Sequence, residues 1–296
     1  MYGNQEKVAL FGNVYQTKKS KYARNVVNLL REMGYGIAIE RHFYECAKAH
    51  LVGVDGLEIF DGGEFSASFA VSLGGDGTFL RTAMLVGDKG VPILGINIGH
   101  LGFMSEVNPD AISRVFKDIA TDNYTIESRS VLEVAKSSGK SLGVYPFALN
   151  EIAVLKQDIS SMIKVRASVN GEYLTTYSAD GLIIATPTGS TGYALSAGGP
   201  VIVPESKSIV VAPVAPHSLS VRPIVLCDNV EITLRVTSRT GHYLVSVDGR
   251  SASCSGKGED IVVRRAPYDI KTIHCGNKTF FDTLREKLMW DGDLQK

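Results

Sequence analysis

A carboxylate set among glycines, Gly74-Gly75-Asp76-Gly77-Thr78, is the point where this chain is best placed to do chemistry. An apolar run, Phe69 to Leu73, leads into it, and Phe79, Leu80, Ala83 and Met84 follow at helical spacing. A glycine-rich turn between a strand and a helix leaves backbone N–H groups open at the positive end of the helix dipole, where phosphate can be held. An aspartate in that turn repels phosphate, so it serves something beside it: a Mg²⁺ ion, or a hydroxyl about to lose its proton. Arg81 lies one turn into the helix, within reach of a phosphate. Gly-Asp-Gly is also ordinary turn chemistry, but the strand-to-helix setting and Arg81 favour the phosphate role.

A second segment joins a strand to small hydroxyl residues: Asp180-Gly181-Leu182-Ile183-Ile184-Ala185, then Thr186-Pro187-Thr188-Gly189-Ser190-Thr191, then Gly192-Tyr193-Ala194-Leu195-Ser196 and Gly198-Gly199-Pro200. Hydroxyls and open N–H groups suit the polar edges of a nucleotide base and its phosphates; a structural turn rich in Thr and Ser has the same composition. Tyr193 stacks on a ring or joins the core. Asn150-Glu151 is unfavourable strand filler and suits ribose hydroxyls. Asp248-Gly249-Arg250 reads equally as a hairpin turn or a site. In Gly99-His100-Leu101-Gly102-Phe103, ligand-facing backbone is favoured over a catalytic histidine, and His217 is read as structural.

Alternating strands and helices must carry the first loop. Val8 to Phe11 is a short apolar run ending in Gly12-Asn13. Ser20 can cap a helix whose Ala23, Val26, Val27, Leu30 and Met33 share a face, with Gly34 as its stop. Gly36 to Ile39 and Val91 to Ile96 are further strands, and Asn108-Pro109 opens a helix with Ile112, Val115, Phe116 and Ile119 on one face. Continuous apolar strands between amphipathic helices indicate a parallel sheet covered on both sides, with ligands at the carboxyl ends of its strands. Near Tyr124 the pattern becomes strand alternation, which continues to about Arg265. Asn170-Gly171 offers a tight hairpin before Tyr173 to Tyr177, and Val230 to Val236 pairs with Tyr243 to Val247. Thr279 to Met289 is helical, with Phe280, Phe281, Leu284 and Leu288 on one side.

The expected fold class is therefore an α/β N-terminal domain with a parallel sheet, a mostly antiparallel all-β C-terminal domain, and a C-terminal helix returning to the first domain. The expected domains are 1–123, 124–266 and 267–296.

Composition narrows the partners. The 296 residues are 44% hydrophobic, enough for sizeable cores. Thirty-one basic residues balance 31 acidic ones, so there is no bulk attraction to nucleic acid or an anionic membrane. Cys46, Cys227, Cys254 and Cys275 form no CxxC pair and read as free thiols in a reducing compartment. Neither a signal-peptide stretch at the N-terminus nor a run of about 18 apolar residues occurs, so a cytoplasmic protein is expected.

These segments, in this order, resemble the NAD kinase family. The resemblance is carried by Gly74–Thr78, Asn97–Phe103, Asn150-Glu151, Asp180–Pro200, Ala215–Pro223 and Asp248-Gly249. Asp180–Pro200 is its most specific part; Gly74–Thr78 is shared with diacylglycerol and sphingosine kinases and, more loosely, phosphofructokinases. The resemblance implies transfer of a phosphoryl group from ATP to the 2′-hydroxyl of the adenosine ribose of NAD, with Asp76 as general base. It implies that Gly75, Gly77 and Thr78 lie along the phosphates, with Arg81 as counter-charge. Asn150 and Glu151 would hold the ribose and adenine region, and Asp180 would face the nicotinamide. Thr188, Thr191, Gly192, Tyr193, Ala194, Leu195 and Ser196 would line the base pocket, and Phe103 would wall it. Ser161, Ser178, Ala215, Asp248 and Arg250 complete the implied nucleotide-binding set. Mg²⁺ would arrive with ATP and need few protein carboxylates, so no protein metal ligand is assigned. Pockets in this family are completed by a neighbouring subunit, which implies a homo-oligomer, a tetramer of paired dimers. The chain departs from the pattern at Ser161 (often basic or histidine), Arg250 (often glutamine), Gly192 (often alanine) and Met104. The rival readings are a lipid kinase of the diacylglycerol type and a catalytically silent dinucleotide sensor.

Overall fold

A computed structural model describes residues 6–12, 21–99, 102–158, 161–255, 259–276 and 278–290. The readings at Asn13, at the Ser20 cap, and at His100 and Leu101 lie outside the described residues. The chain divides into two compact units: residues up to Ser128 together with those from Ile270 on, and residues Arg129–Asp269.

The first unit is built around five parallel strands. In chain order its elements are β1 (Lys7–Gly12), α1 (Lys21–Glu32), β2 (Gly36–Glu40), α2 (Arg41–Ala47), β3 (Leu57–Phe60), β4 (Phe69–Leu73), α3 (Asp76–Val86), β5 (Ile93–Ile96) and α4 (Ile112–Ala120). The strand order is β5-β4-β1-β2-β3, every pair parallel. Every residue of β4 and β5 is buried, as unbroken apolar runs require when both faces are covered. On one face, Ala23, Val26, Val27 and Leu30 of α1 and Ile112, Val115, Phe116 and Ile119 of α4 pack on Val8, Leu10, Val71, Leu73, Leu94 and Ile96. Each large side chain removed from water there contributes roughly 1.5–3 kcal/mol. Gly34, at φ 84°, stops α1 in the left-handed conformation that glycine adopts without penalty.

Helix α3 packs across the sheet through Ser72, whose hydroxyl accepts from Thr82 Oγ1 at 3.1 Å. Its buried side is Thr78, Phe79, Thr82, Ala83 and Val86. This corrects the face expected from apolar spacing. Leu80 and Met84 are only half-buried, because Thr78 and Thr82 take inner positions, where the Thr82 hydroxyl hydrogen-bonds both within the helix and to the sheet.

The second unit is a two-sheet β structure. Its strands are β6 (Tyr124–Lys136, beginning in the first unit), β7 (Phe147–Ala148), β8 (Glu151–Lys156), β9 (Ile163–Val169), β10 (Glu172–Ala179) and β11 (Gly181–Ala185). After the short helix α5 (Tyr193–Ser196) come β12 (Ser208–Val214), β13 (Ile224–Cys227), β14 (Ile232–Thr237), β15 (His242–Val247), β16 (Arg250–Ser255) and β17 (Ile261–Cys275). One sheet is antiparallel with the order β13-β12-β11-β8-β15-β16. In the other, β9 lies between β10 and β14, and β14 pairs with β17. The two share a core of Ile152, Val154, Leu182, Ile184, Val211, Val245 and Val247 with Val165, Ala167, Ile232, Leu234 and Val263. The opposite face of the six-stranded sheet packs Ala153, Ile183, Ala185, Val210 and Ala212 on Ala194 of α5.

Asn170 (φ 49°) and Gly171 (φ 82°) turn β9 into β10 as a two-residue hairpin. The expected pairing of Val230–Val236 with Tyr243–Val247 is not found. Strand β14 pairs with β9 and β17, whereas β15 pairs with β8 and β16. Alternation specifies a half-buried strand but not its partner.

The last described helix, α6 (Phe280–Leu288), belongs to the first unit. Thr279 caps it reciprocally with Asp282. Thr283 and Leu284 are its buried residues; Phe281, placed on the inner face by spacing, is 56% exposed. Among the described residues, no helix is long and apolar enough to cross a membrane.

Candidate active site

Asp76 is the first residue of α3, directly after the N-cap Gly75. Its carboxylate gathers three successive backbone donors. Phe103 N–H donates to Oδ2 at 2.9 Å, and Met104 and Ser105 N–H donate to Oδ1 at 3.0 and 3.2 Å. The backbone of that loop, expected to face a ligand, therefore faces Asp76 at Phe103–Ser105. Around Gly75 and Gly77, a side-chain carbon would meet nothing within 4 Å, so the backbone at the head of α3 is open. Gly74 is different: a Cβ there would lie 2.9 Å from Thr78 Cγ2 and closer still to its hydroxyl. The turn thus combines one closely packed glycine, two open ones and a carboxylate anchored by main-chain donors.

Arg81 leaves α3 toward the carboxyl end of β2. Its Nη2 donates to Glu40 Oε1 at 2.8 Å. Glu40 is 0% exposed and also accepts from His42 Nδ1 at 2.7 Å and, through Oε2, from Phe43 N–H at 3.0 Å, capping α2. Burial alone raises the Glu40 pKa, but the hydrogen bonds from His42 and Phe43 and the Arg81 charge outweigh it and hold the carboxyl below its ordinary value. Neither Glu40 nor α2 was singled out in the sequence; a lone acid at a strand end carries no periodic signal. Phe103 packs its ring 6.4 Å from that of Phe280 in α6.

In the second unit, three segments converge. Asp248 (φ 46°) and Gly249 (φ 79°) form the turn between β15 and β16. Asp248 repeats the Asp76 arrangement: Leu149 N–H donates to Oδ2 at 2.9 Å, and Asn150 and Glu151 N–H donate to Oδ1 at 2.9 and 3.1 Å. The turn and site readings of Asp248 are compatible, because the turn aims the carboxylate at the start of β8. From the other side, Thr186 Oγ1 donates to Leu149 O at 2.6 Å and Thr186 N–H to Asn150 O at 2.9 Å. A Cβ at Gly189 would fall 2.7 Å from Asn150 Cα and closer still to its carbonyl, so only glycine lets the loop sit this tightly. A Cβ at Gly192 would stand 3.2 Å from Glu151 Oε2. The glycine at this departure from the family pattern relieves a close approach to that acid.

Several polar atoms here are buried with no hydrogen-bond partner among the described residues: Asn150 Oδ1, Glu151 Oε2, Thr188 Oγ1, and Arg250 Nε and Nη2. Burying such atoms unpaired is costly, and a polar ligand would satisfy them. Burial, then the charge of Asp248, pushes the Glu151 pKa up to about 7, against a lowering hydrogen bond from Tyr193 N–H. Burial likewise raises Asp248, despite its three N–H donors and nearby Arg250.

The remaining candidates are spread along the unit. Lys156 Nζ pairs with Asp180 at 2.8 Å. Thr191 Oγ1 donates to Thr188 O at 3.2 Å. Tyr193 is exposed, Leu195 half-buried and Ser196 exposed, whereas Ala194 is in the core. Ser178 O accepts from His217 N–H at 2.9 Å, and Ala215 is held at φ 44° just before that contact. Ser161 lies on a loop, 3.4 Å from Asp158. Among the described residues no cluster of three or more His, Cys, Asp or Glu could hold a metal ion.

The sequence matches two family models, the ATP-NAD kinase N-terminal domain over residues 8–124 and the ATP-NAD kinase C-terminal domain over residues 149–275. It is 51% identical to an NAD kinase of Bacteroides fragilis over 97% of this chain and 99% of that protein. It is 41% identical to one of Flavobacterium psychrophilum over the same shares. The fold is similar to that of yeast NADH kinase complexed with NADH, with a TM-score of 0.85 at 24% identity over 99% of this chain and 90% of that one. It is also similar to an NAD kinase from Archaeoglobus fulgidus in complex with ATP, with a TM-score of 0.72 at 26% identity over 96% and 98%. With both halves matched in order and relatives aligned end to end, the chain belongs to the NAD kinase family of phosphotransferases.

Proposed function

We propose that this enzyme transfers the terminal phosphoryl group of ATP to the 2′-hydroxyl of the adenosine ribose of NAD, giving NADP, with Asp76 as general base. The observation that carries this reading is the carboxylate at the head of α3, flanked by the open backbone of Gly75 and Gly77. A helix N-terminus with exposed N–H groups favours phosphate. A secondary hydroxyl is a very weak acid, and a positioned carboxylate assists its loss of a proton in the transition state. In the step, the ribose O–H bond breaks and its proton passes to Asp76. The ribose oxygen bonds to the transferred phosphorus, and the phosphorus–oxygen bond to ADP breaks with its electrons leaving on ADP.

Gly75, Gly77 and Thr78 lie along the phosphates in this reading, and Arg81, already steadied by Glu40, supplies positive charge. The unpaired buried atoms of Asn150, Glu151, Thr188 and Arg250 support a polar nucleotide ligand in the second unit. Asn150 and Glu151 take the ribose and adenine region, Asp180 the nicotinamide side. Mg²⁺ would accompany ATP and neutralise phosphate charge when bound. We infer a cytoplasmic homo-oligomer, a tetramer of paired dimers.

The test is turnover with ATP-Mg²⁺ and either NAD or diacylglycerol. NADP forms and no lipid phosphate does; absence of NADP rejects the reading, and with NAD still bound it leaves a silent sensor. Asp76→Asn abolishes turnover while NAD still binds; turnover like the parent's would remove Asp76 as the base.

A further inference from the structure

We propose that Gly102 is a positioning residue for phosphoryl transfer: its missing side chain lets the Phe103–Ser105 backbone close on Asp76 and fix which carboxylate oxygen stays open. The inference rests on the reading of Asp76 as the base. A carboxylate offers about four lone-pair positions. Among the described residues, Oδ1 accepts from both Met104 and Ser105, and Oδ2 from Phe103 alone. Oδ2 therefore keeps an open acceptor position, and it is the oxygen to receive the ribose proton.

The clamp has no room for a larger residue. A Cβ at Gly102 would lie 2.5 Å from Asp76 Cγ and 2.7 Å from Oδ2, and closer still to Oδ1. Real Cβ atoms do not approach that closely, so either the loop retreats or the carboxylate turns away from its donors. The loop cannot simply slide back. Behind it, a Cβ at Gly95 of β5 would meet Met104 O at 2.5 Å and Ser105 Cα at 3.0 Å, so the segment is already pressed on the sheet. Ser105 is fully buried. The loop is thus held in a slot between a strand glycine and the Asp76 carboxylate, and alanine at 102 spends its strain on Asp76.

Gly102→Ala is expected to lower kcat with ATP-Mg²⁺ and NAD by about 100-fold, the cost typical of a reacting group displaced by about 1 Å, while KM for NAD stays within about threefold. Hydrogen exchange gives the readout besides activity: the amides of Phe103, Met104 and Ser105 lose protection in Gly102→Ala. In an Asp76→Ala background the clash is gone, so adding Gly102→Ala changes neither the melting temperature nor those amides further, a coupling between contacting residues. A kcat within about threefold of the parent's, or equal destabilisation by Gly102→Ala with and without the Asp76 carboxylate, overturns the proposal. If Gly102→Ala alone does not fold, recovery of folding in the double variant supports the clash, and failure there too overturns it. Retained turnover in Asp76→Asn would remove the base reading while leaving the amide-exchange result standing, so the two failures are distinguishable.

Discussion

Two aspartates, Asp76 and Asp248, solve the same local problem. Each accepts three consecutive main-chain N–H groups and so pins the turn that supplies them. Hydrogen bonds to a charged acceptor are worth about 1.5–3 kcal/mol each, enough to hold a loop without regular structure. Beside Asp248, Glu151 is left with a buried oxygen and a pKa of about 7. A carboxyl raised in the folded state stabilises fully only below its unfolded pKa, and that contribution is lost as pH rises through about 7. The parent should therefore lose up to about 3 kcal/mol between pH 5 and pH 8 that Glu151→Gln does not lose. Denaturant unfolding at both pH values checks this; identical pH slopes for the two proteins would refute it.

At the scale of elements, the loop that carries Phe103–Ser105 is tied on its far side by Glu106. His274 of β17 sits between Glu106 (3.3 Å from Nδ1) and Glu127 of β6 (3.2 Å from Nε2). Burial lowers its pKa, but hydrogen bonds and charge from the two glutamates prevail and push it up to about 9. A histidine raised in the folded state contributes fully below its unfolded pKa near 6.5 and loses that contribution as pH rises through about 9. Melting temperature should fall between pH 7 and pH 10 in the parent, and less steeply in His274→Gln. Parallel curves would show that this ion cluster does not tie strand to loop. Nothing in the sequence marked this cluster, because Glu106, Glu127 and His274 are separated along the chain and meet only through the folding of β6 and β17. The glycine-rich strand-to-helix turn was legible, since φ freedom, dipole and apolar flanks are all local. The inner face of α3 was not, because two threonines are buried there and Thr82 holds its place by hydrogen bonding to Ser72 and Thr78 O rather than by hydrophobicity.

For the whole molecule, balanced charge leaves association to apolar surface. The second unit exposes Met162, Tyr173, Val225 and, at 89%, Leu219. Scattered exposed apolar residues are ordinary and mark no interface by themselves; light scattering at working concentration tests the proposed self-association and should give the mass of a tetramer. A monomer mass would contradict it.

By itself the sequence determined the succession of parallel and antiparallel halves, the Asn170-Gly171 hairpin, the glycine-rich strand-to-helix turn and the family, because periodicity, turn chemistry and contiguous motifs are written in neighbouring residues. Only the tertiary structure decided the pairing of β14 and β15, the hold of Glu40 on Arg81, and the closure of Phe103–Ser105 on Asp76. Those depend on which distant segments share a space, and on whether a single methyl group fits between Gly102 and a carboxylate.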